Sequence, residues 1–292
     1  MERRLERQSF DLVLAEFSGA ELELCALIQR LRQGKVGDNP FIVIIVTTWR
    51  RDGNLINHLI NSGADDVLTW PFSAAQLGER LRSQVERRKQ FVVTCDYIGP
   101  DRRRDPERAG AECIDVPNTL RLRAQAGEDQ DGLVFALARE VSQGKNLINR
   151  EKLRRDVFQL CLQWRKFEQR RHDPTDEADI LDKLCVIAAD MRRRTQELND
   201  VAGVEWCRSV VGAARSIRVA LDVVSPGGGP PDLAEPLYLL GKSVLALGNR
   251  FAPGEVEPAQ LVELDALVAR VDIREGSLRG PPPATGSPTP AG

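Results

Sequence analysis

The chain has few of the residues that most metal and catalytic sites need. It contains only two histidines, His58 and His172, and none of its six cysteines forms a Cys-x-x-Cys pair. These counts argue against a structural zinc site and against a Ser/His/Asp or Cys/His catalytic arrangement. We therefore expect no metal, no cofactor and no enzymatic activity.

Long apolar runs and a strong net charge are also missing. No run approaches the ~20 apolar residues of a membrane helix, and no apolar core of a signal peptide follows the charged N-terminal residues. The formal net charge of −2 gives no overall reason to expect a polyanionic partner. The composition predicts a cytoplasmic protein without membrane contact, whose cysteines are mostly buried thiols.

The N-terminal third alternates between strand-like and helix-like patterns. Phe10–Phe17 and Phe41–Thr48 are apolar runs without polar alternation, which is typical of strands covered on both faces by helices. A third short strand is predicted at Val67–Thr69. Strand and helix in alternation predict half of a doubly wound parallel sheet, with a ligand site at the carboxyl ends of its strands.

Helix signals separate these strands. Asp52 is the predicted start of a helix that Gly63 ends, and Ser73 with Gln76 three residues later predicts a capping box at the start of another helix.

The stretch Gly63–Phe72 reads Gly-Ala-Asp-Asp-Val-Leu-Thr-Trp-Pro-Phe. It resembles the end of a response-regulator receiver (CheY-like) domain, where the usual residues are Gly-Ala-Asp-Asp-Tyr-Leu-Thr-Lys-Pro-Phe. The segment from Phe91 to Arg103 also resembles one that follows some receivers in bacterial signalling proteins. The resemblance covers under a third of the chain and implies a flavodoxin-like fold in two-component (phosphorelay) signal transduction.

The same resemblance assigns site positions. Glu16 stands where receivers have the phosphoacceptor aspartate, and Thr47 or Thr48 stands at the switch position. Trp70, followed by Pro71, stands where the family has its phosphate-binding lysine. A tryptophan cannot neutralise the charge that develops in phosphoryl transfer. Glutamate is one methylene longer than aspartate, and a displacement of about an ångström costs roughly a hundredfold in rate.

Two interpretations of Glu16 stay open. It could imitate a permanently phosphorylated aspartate, or it could be a residual acid in a site without function. The metal-binding acids of receivers follow their first strand, and this chain begins at what corresponds to the second helix. The resemblance therefore implies a degenerate receiver without phosphoryl transfer, and we expect no metal site.

The absence of a first strand leaves Phe10–Phe17 as an apolar sheet edge with unpaired backbone groups. Either the natural protein starts upstream, or a helix from the C-terminal region or a second copy of the chain covers the edge. We expect this edge to be a site of pairing or aggregation.

An arginine-rich connector follows. Arg102, Arg103 and Arg104 form a guanidinium cluster suited to phosphates or carboxylates. The cluster could dock a partner or a nucleic acid. The alternative is a solvated loop whose arginines pair with interspersed acids such as Asp101.

The remaining chain is predicted to be helical. Apolar spacing over 129–171 fits a helical hairpin or a short coiled coil that could break at Gly144. Further helices are predicted around 180–191, 204–224, 233–247 and 258–271. Gly241-Lys242-Ser243 looks like the end of a phosphate-binding loop, but Pro236 stands where that loop requires glycine.

These patterns predict an α/β plus all-α protein in which a partial CheY-like doubly wound parallel sheet precedes a helical bundle. The predicted domains are a degenerate receiver (1–89), a connector (90–128), a helical bundle (129–274) and a disordered tail (275–292). The implied function is phosphorylation-independent signalling by contact with a signalling protein, either a sensor kinase or a downstream regulator, or by self-association. The alternatives are a nucleic-acid-binding regulator using Arg102–Arg104 and a still phosphorylatable receiver.

Overall fold

The structure is a computed structural model that describes residues 1–17, 19, 21–103, 112–126, 130–169, 174–222 and 233–254. It divides into two compact units, Met1–Arg155 and Asp156–Gly292. The first contains parallel and antiparallel sheets with helices, and the described part of the second is helical. The coarse prediction of an α/β plus all-α protein is confirmed.

The elements follow one another along the chain with these bounds: α1 (Glu2–Leu5), β1 (Leu12–Phe17), α2 (Glu21–Arg32), β2 (Val43–Thr48), α3 (Gly53–Asn61), β3 (Asp66–Thr69), α4 (Ala74–Glu86), β4 (Phe91–Val93), β5 (Ile98–Pro100), β6 (Cys113–Ile114), α5 (Thr119–Gln125), α6 (Gln130–Gln169), α7 (Pro174–Glu197), α8 (Val201–Asp222) and α9 (Ala234–Phe251).

The first sheet is parallel and has the strand order β1-β2-β3. Every residue of the central strand β2 is buried, as its unbroken apolar sequence requires. One face of the sheet packs in a core with residues of α2 and α3, including Ile28 and Leu59. The opposite face packs against Leu77 and Leu81 of α4 and Leu120 of α5. The three strands predicted from the sequence are therefore present, between helices on both faces.

The helix ends that the sequence predicts between these strands are also present. The carboxylate of Asp52 accepts a hydrogen bond from the Asn54 amide at 3.0 Å and caps α3. Gly63, with φ of +105°, follows that helix in the left-handed region that favours glycine. Ser73 and Gln76 form both bonds of the predicted capping box at the start of α4.

The second sheet is small and antiparallel, with the strand order β5-β4-β6. Its central strand β4 is fully buried, and the Phe91 ring lies 6.1 Å from that of Phe41. The strand β4 pairs with both other strands of this sheet. The predicted domain boundaries at residues 89 and 128 both fall within the first compact unit, and the four-part domain division stays a prediction.

The long helix α6 runs from Gln130 to Gln169 without interruption, so the possible break at Gly144 does not occur. A Cβ atom on Gly144 would lie 2.6 Å from Cδ of Pro117 and 2.8 Å from Cε2 of Phe41. The glycine therefore permits close packing of α6 on its neighbours and does not end the helix.

The second unit contains α7, α8 and α9. Asp200 caps α8 through the Gly203 amide at 3.0 Å and pairs with Arg250 of α9. The Gly241-Lys242-Ser243 stretch is helical, since it lies inside α9, and Ser243 donates its hydroxyl to the Leu239 carbonyl at 2.7 Å. His172, the predicted helix at 258–271 and the predicted tail at 275–292 lie outside the described residues.

Of the helices that the structure describes, none combines the length and the apolar character that crossing a membrane would need.

Candidate functional site

The carboxyl edge of the parallel sheet brings together the positions that the sequence singled out. Glu16 is in register with Thr47, and Thr47 with Leu68. The Trp70 amide donates to the Thr48 carbonyl at 2.8 Å, which places Trp70 at the same edge. Because neighbouring parallel strands align their side chains, Thr47 shares the face of Glu16, whereas Thr48 belongs to the opposite face. Both threonines are buried.

Glu16 itself is exposed and lies beside the outer edge of β1. It forms part of an open groove of about 540 Å³ between α1, α2 and this edge. The groove is lined by Met1, Glu2, Glu16, Phe17, Glu23, Leu24, Ala26, Leu27 and Arg30. Glu2 and Arg30 form an ion pair across it at 2.5 Å. The groove is therefore partly apolar, and its lining includes the carboxylates of Glu16 and Glu23 besides this ion pair.

Trp70 is the centre of a ladder of three aromatic rings. Its ring centroid lies 3.9 Å from that of Phe72 and 5.3 Å from that of Trp49, which is nearly parallel to it at 13°. The Nε1 atom of Trp70 is buried and has no hydrogen-bond partner among the described residues. The Trp70–Pro71 peptide bond is cis. The position that the sequence resemblance aligns with the lysine of receivers is thus occupied by the central ring of an aromatic stack.

Trp49 is a residue of this edge that was not predicted from the sequence. It directly follows β2 and is 62% exposed. The signal that could have found it is its place immediately after a buried strand and before Arg50 and Arg51, at the edge where doubly wound sheets bind ligands.

Asp65, the first acid of the Gly-Ala-Asp-Asp stretch, is held in a buried network of charges. Its carboxylate lies 2.6 Å from the Arg32 guanidinium and 3.0 Å from that of Arg88, and it accepts the Ile44 amide at 2.8 Å. The Phe91 ring lies 5.1 Å and 5.2 Å from the two guanidiniums. The network joins α2, β2, β4 and the segment that follows α4 around one carboxylate.

Burial acts in opposite directions on the two kinds of charge in this network. Burial alone would raise the pKa of Asp65, but Arg88, Arg32 and the Ile44 amide outweigh it and hold that pKa below its usual value. Burial lowers the pKa of Arg32 to about 10. The neighbouring Asp65 carboxylate opposes this change, and the positive charge of Arg88 adds to it. The difference arises because the Asp65 carboxylate faces two cations, whereas Arg32 shares that carboxylate with Arg88.

The predicted arginine cluster makes contacts within the chain. The Arg102 guanidinium donates to the Ala64 carbonyl at 2.7 Å and also to the Asp65 carbonyl. Arg103 pairs with Asp101 at 3.0 Å. Hydrogen bonds from Arg103 help to lower the pKa of Asp101 to about 2. Arg104 lies outside the described residues. A phosphate would have to compete with these contacts for Arg102 and Arg103.

Potential metal ligands and nucleophiles are few. Within the described ranges, no group of three or more histidine, cysteine, aspartate or glutamate side chains is placed to hold a metal ion. All six cysteines are free thiols. Burial raises the pKa of both Cys161 and Cys207 to about 12, so these thiols are protonated and unreactive at neutral pH.

Comparison with protein-family models, with curated proteins and with solved structures gave no match to this chain.

Proposed function

We propose that the N-terminal unit is a receiver-like signalling module that works by protein contact and does not transfer phosphate. The chain would act in a two-component-type pathway by binding a signalling protein or a second copy of itself. The single observation that carries the proposal is the aromatic stack at Trp70, at the carboxyl edge that also holds Glu16 and Thr47.

Phosphoryl transfer to a carboxylate is helped by cations that neutralise the charge developing on the phosphoryl oxygens. At this edge the position of the family's lysine carries an indole, and its ring is packed between Trp49 and Phe72. An indole has one weak donor and no positive charge. The residues that the resemblance aligns with the site thus favour a surface for contact over a site for phosphoryl chemistry.

The free edge of β1 offers such a contact. In the part of the chain that the structure describes, β1 pairs only with β2. The Val43 amide donates to the Asp11 carbonyl, so by alternation the backbone groups of Leu12, Leu14 and Glu16 point away from β2. An extended segment of a partner could add to this edge and bond to these groups. The Leu14 side chain, 49% exposed, would lie under the added strand.

A charge placed on the edge tests this contact. Leu14→Lys should reduce the association of the chain with itself or with a captured partner by tenfold or more, because sheet edges with lysine resist pairing. The folded state should lose less than about 1 kcal/mol, since Leu14 is half exposed. Leu22→Lys on α2 is the matched control, because Leu22 is also exposed but lies on a helix.

The association is measured by sedimentation velocity of the purified full chain, and by quantitative capture with each variant as bait. The proposal predicts that Leu22→Lys behaves like the wild-type chain. The proposal is contradicted if the wild-type chain is monomeric and the Leu14→Lys variant captures every protein that the wild type captures.

A further inference from the structure

Trp49 presents a flat aromatic surface that the strand addition proposed for the edge of β1 does not use. One face of its ring stacks on Trp70, which packs in turn on Phe72, and the side chain is 62% exposed. The stack fixes the orientation of the indole, so its outer face meets solvent as a preformed platform. A platform of this kind costs little conformational entropy when a ligand binds.

We propose that Trp49 is a stacking platform for a nucleobase and that Arg50 and Arg51 hold the attached phosphate. The ligand is a nucleotide, either free or within a single-stranded nucleic acid. Base stacking on an exposed aromatic ring, with arginines beside it for the backbone, is the general mode by which proteins hold single-stranded nucleic acids.

The charges around Trp49 favour a phosphate. Arg51 is exposed and has no ion pair with another described residue, and Arg50 is half exposed and lies 3.3 Å from Asp52. The helix α3 starts at Gly53, so the positive end of its dipole points to the same edge. Asp52 offsets Arg50, and Glu16 at the end of the neighbouring strand is a second acid, so these four side chains carry no net charge. The attraction for a phosphate therefore comes from the Arg51 guanidinium and from the positive end of the α3 dipole.

The shape of the surface distinguishes a base from a protein anchor. Tryptophan and arginine also anchor protein interfaces, where a partner's side chain usually fills a desolvated pocket. Trp49 projects into solvent and presents a ring face. A base can stack on such a face without a surrounding pocket.

The test uses the full chain with three probes, which are a short fluorescein-labelled oligothymidylate, AMP and GMP. Binding of the oligonucleotide is followed by fluorescence anisotropy, and binding of the mononucleotides by isothermal titration calorimetry, whose signal does not depend on the tryptophan that is replaced. Trp49→Ala should weaken binding about 10- to 100-fold, because stacking on an aromatic ring contributes that much per base. Trp49→Phe keeps an aromatic face and should retain most of the affinity. Both variants should keep the unfolding midpoint within a few degrees of the wild type.

Charge variants separate the phosphate contact from the stack. Arg51→Ala should weaken binding and reduce its dependence on salt, because one phosphate contact is lost. Arg82→Ala, which removes an exposed arginine from α4, should leave the affinity unchanged. Binding of the mononucleotides would identify a free nucleotide as the ligand, and binding of the oligonucleotide alone would identify a single strand.

The proposal is overturned if no probe binds the wild-type chain, or if Trp49→Ala binds as tightly as the wild type. If no probe binds and Trp49→Ala also lowers the self-association measured by sedimentation, the proposal is overturned and the platform is identified as a protein contact.

Discussion

At the scale of single residues, the two neighbouring acids of the Gly-Ala-Asp-Asp stretch have different roles. Asp65 is buried between two guanidiniums, whereas Asp66 is partly exposed and lies 3.4 Å from Arg80, whose side chain is half exposed. A buried carboxylate that balances two buried cations cannot lose its charge cheaply. A partly exposed pair contributes little in water.

Asp65→Asn should therefore lower the free energy of unfolding by about 3–5 kcal/mol, because it leaves two buried guanidiniums without a counter-ion. The amide nearly preserves the shape of the side chain, so the loss reports the charge. The measurement is urea unfolding of the full chain at neutral pH, followed by circular dichroism. Asp66→Asn is the matched control and should cost less than about 1 kcal/mol. Equal losses in the two variants would show that the buried network is not what stabilises this unit.

The same network predicts a dependence on pH. The pKa of Asp65 lies below its unfolded value, so its contribution to stability is complete above the unfolded pKa of about 4 and is lost as the pH falls through the folded pKa. The difference in unfolding free energy between the wild type and Asp65→Asn should shrink as the pH is lowered from about 7 towards about 3. Other acids with lowered pKa values, such as Asp101, are common to both proteins and cancel. A difference that stays constant over this range would contradict the assignment.

The sequence predicts the place of Asp65 in the fold but not its partners. The Gly-Ala-Asp-Asp stretch follows a helix and precedes a strand, as its pattern and its resemblance both indicate. Arg32 and Arg88 lie 33 and 23 residues away along the chain. Surface arginines and network arginines look alike in a single sequence, since only tertiary packing decides which guanidinium is buried.

At the scale of secondary structure, two glycines inside helices have different surroundings. A Cβ atom on Gly144 of α6 would overlap Pro117 and Phe41, whereas one on Gly78 of α4 would have no atom within 4 Å. Both positions are in the interior of a helix of the first unit.

Gly144→Ala should destabilise the chain by about 1–3 kcal/mol, because an added methyl group must displace a proline ring and an aromatic ring. Gly78→Ala should stabilise it by about 0.5–1 kcal/mol, since alanine loses less backbone entropy in a helix. Thermal unfolding of both variants gives the comparison. A stabilising Gly144→Ala would mean that α6 does not pack closely at this point.

The sequence predicts helices and strands better than it predicts why a particular residue occupies its position. The runs of β-branched residues and the Ser73–Gln76 capping box are local signals, and the structure has the strands and the cap that they predict. From the sequence, Gly144 is a candidate break in the helix because glycine has low helix propensity. Its actual role depends on Pro117 and Phe41, which no local pattern reveals.

At the scale of the whole molecule, the alternating topology explains why the candidate site forms where it does. Parallel strands end at a common edge, so Glu16, Thr47 and Trp70 converge although they are far apart in the sequence. That convergence could be predicted from strand order alone. The stack of Trp49 on Trp70 could not, because it depends on how two loops leave neighbouring strands.

The central claim is that this edge serves contact and carries no phosphoryl chemistry. The most direct test is the intact mass of the full chain after incubation with acetyl phosphate and Mg²⁺, with a phosphorylatable receiver domain treated in parallel to show that the donor is active. The account predicts that the chain keeps its unmodified mass while the control gains one phosphate. A gain of one phosphate on this chain, mapped to Glu16 or to another acid of the carboxyl edge, would contradict it.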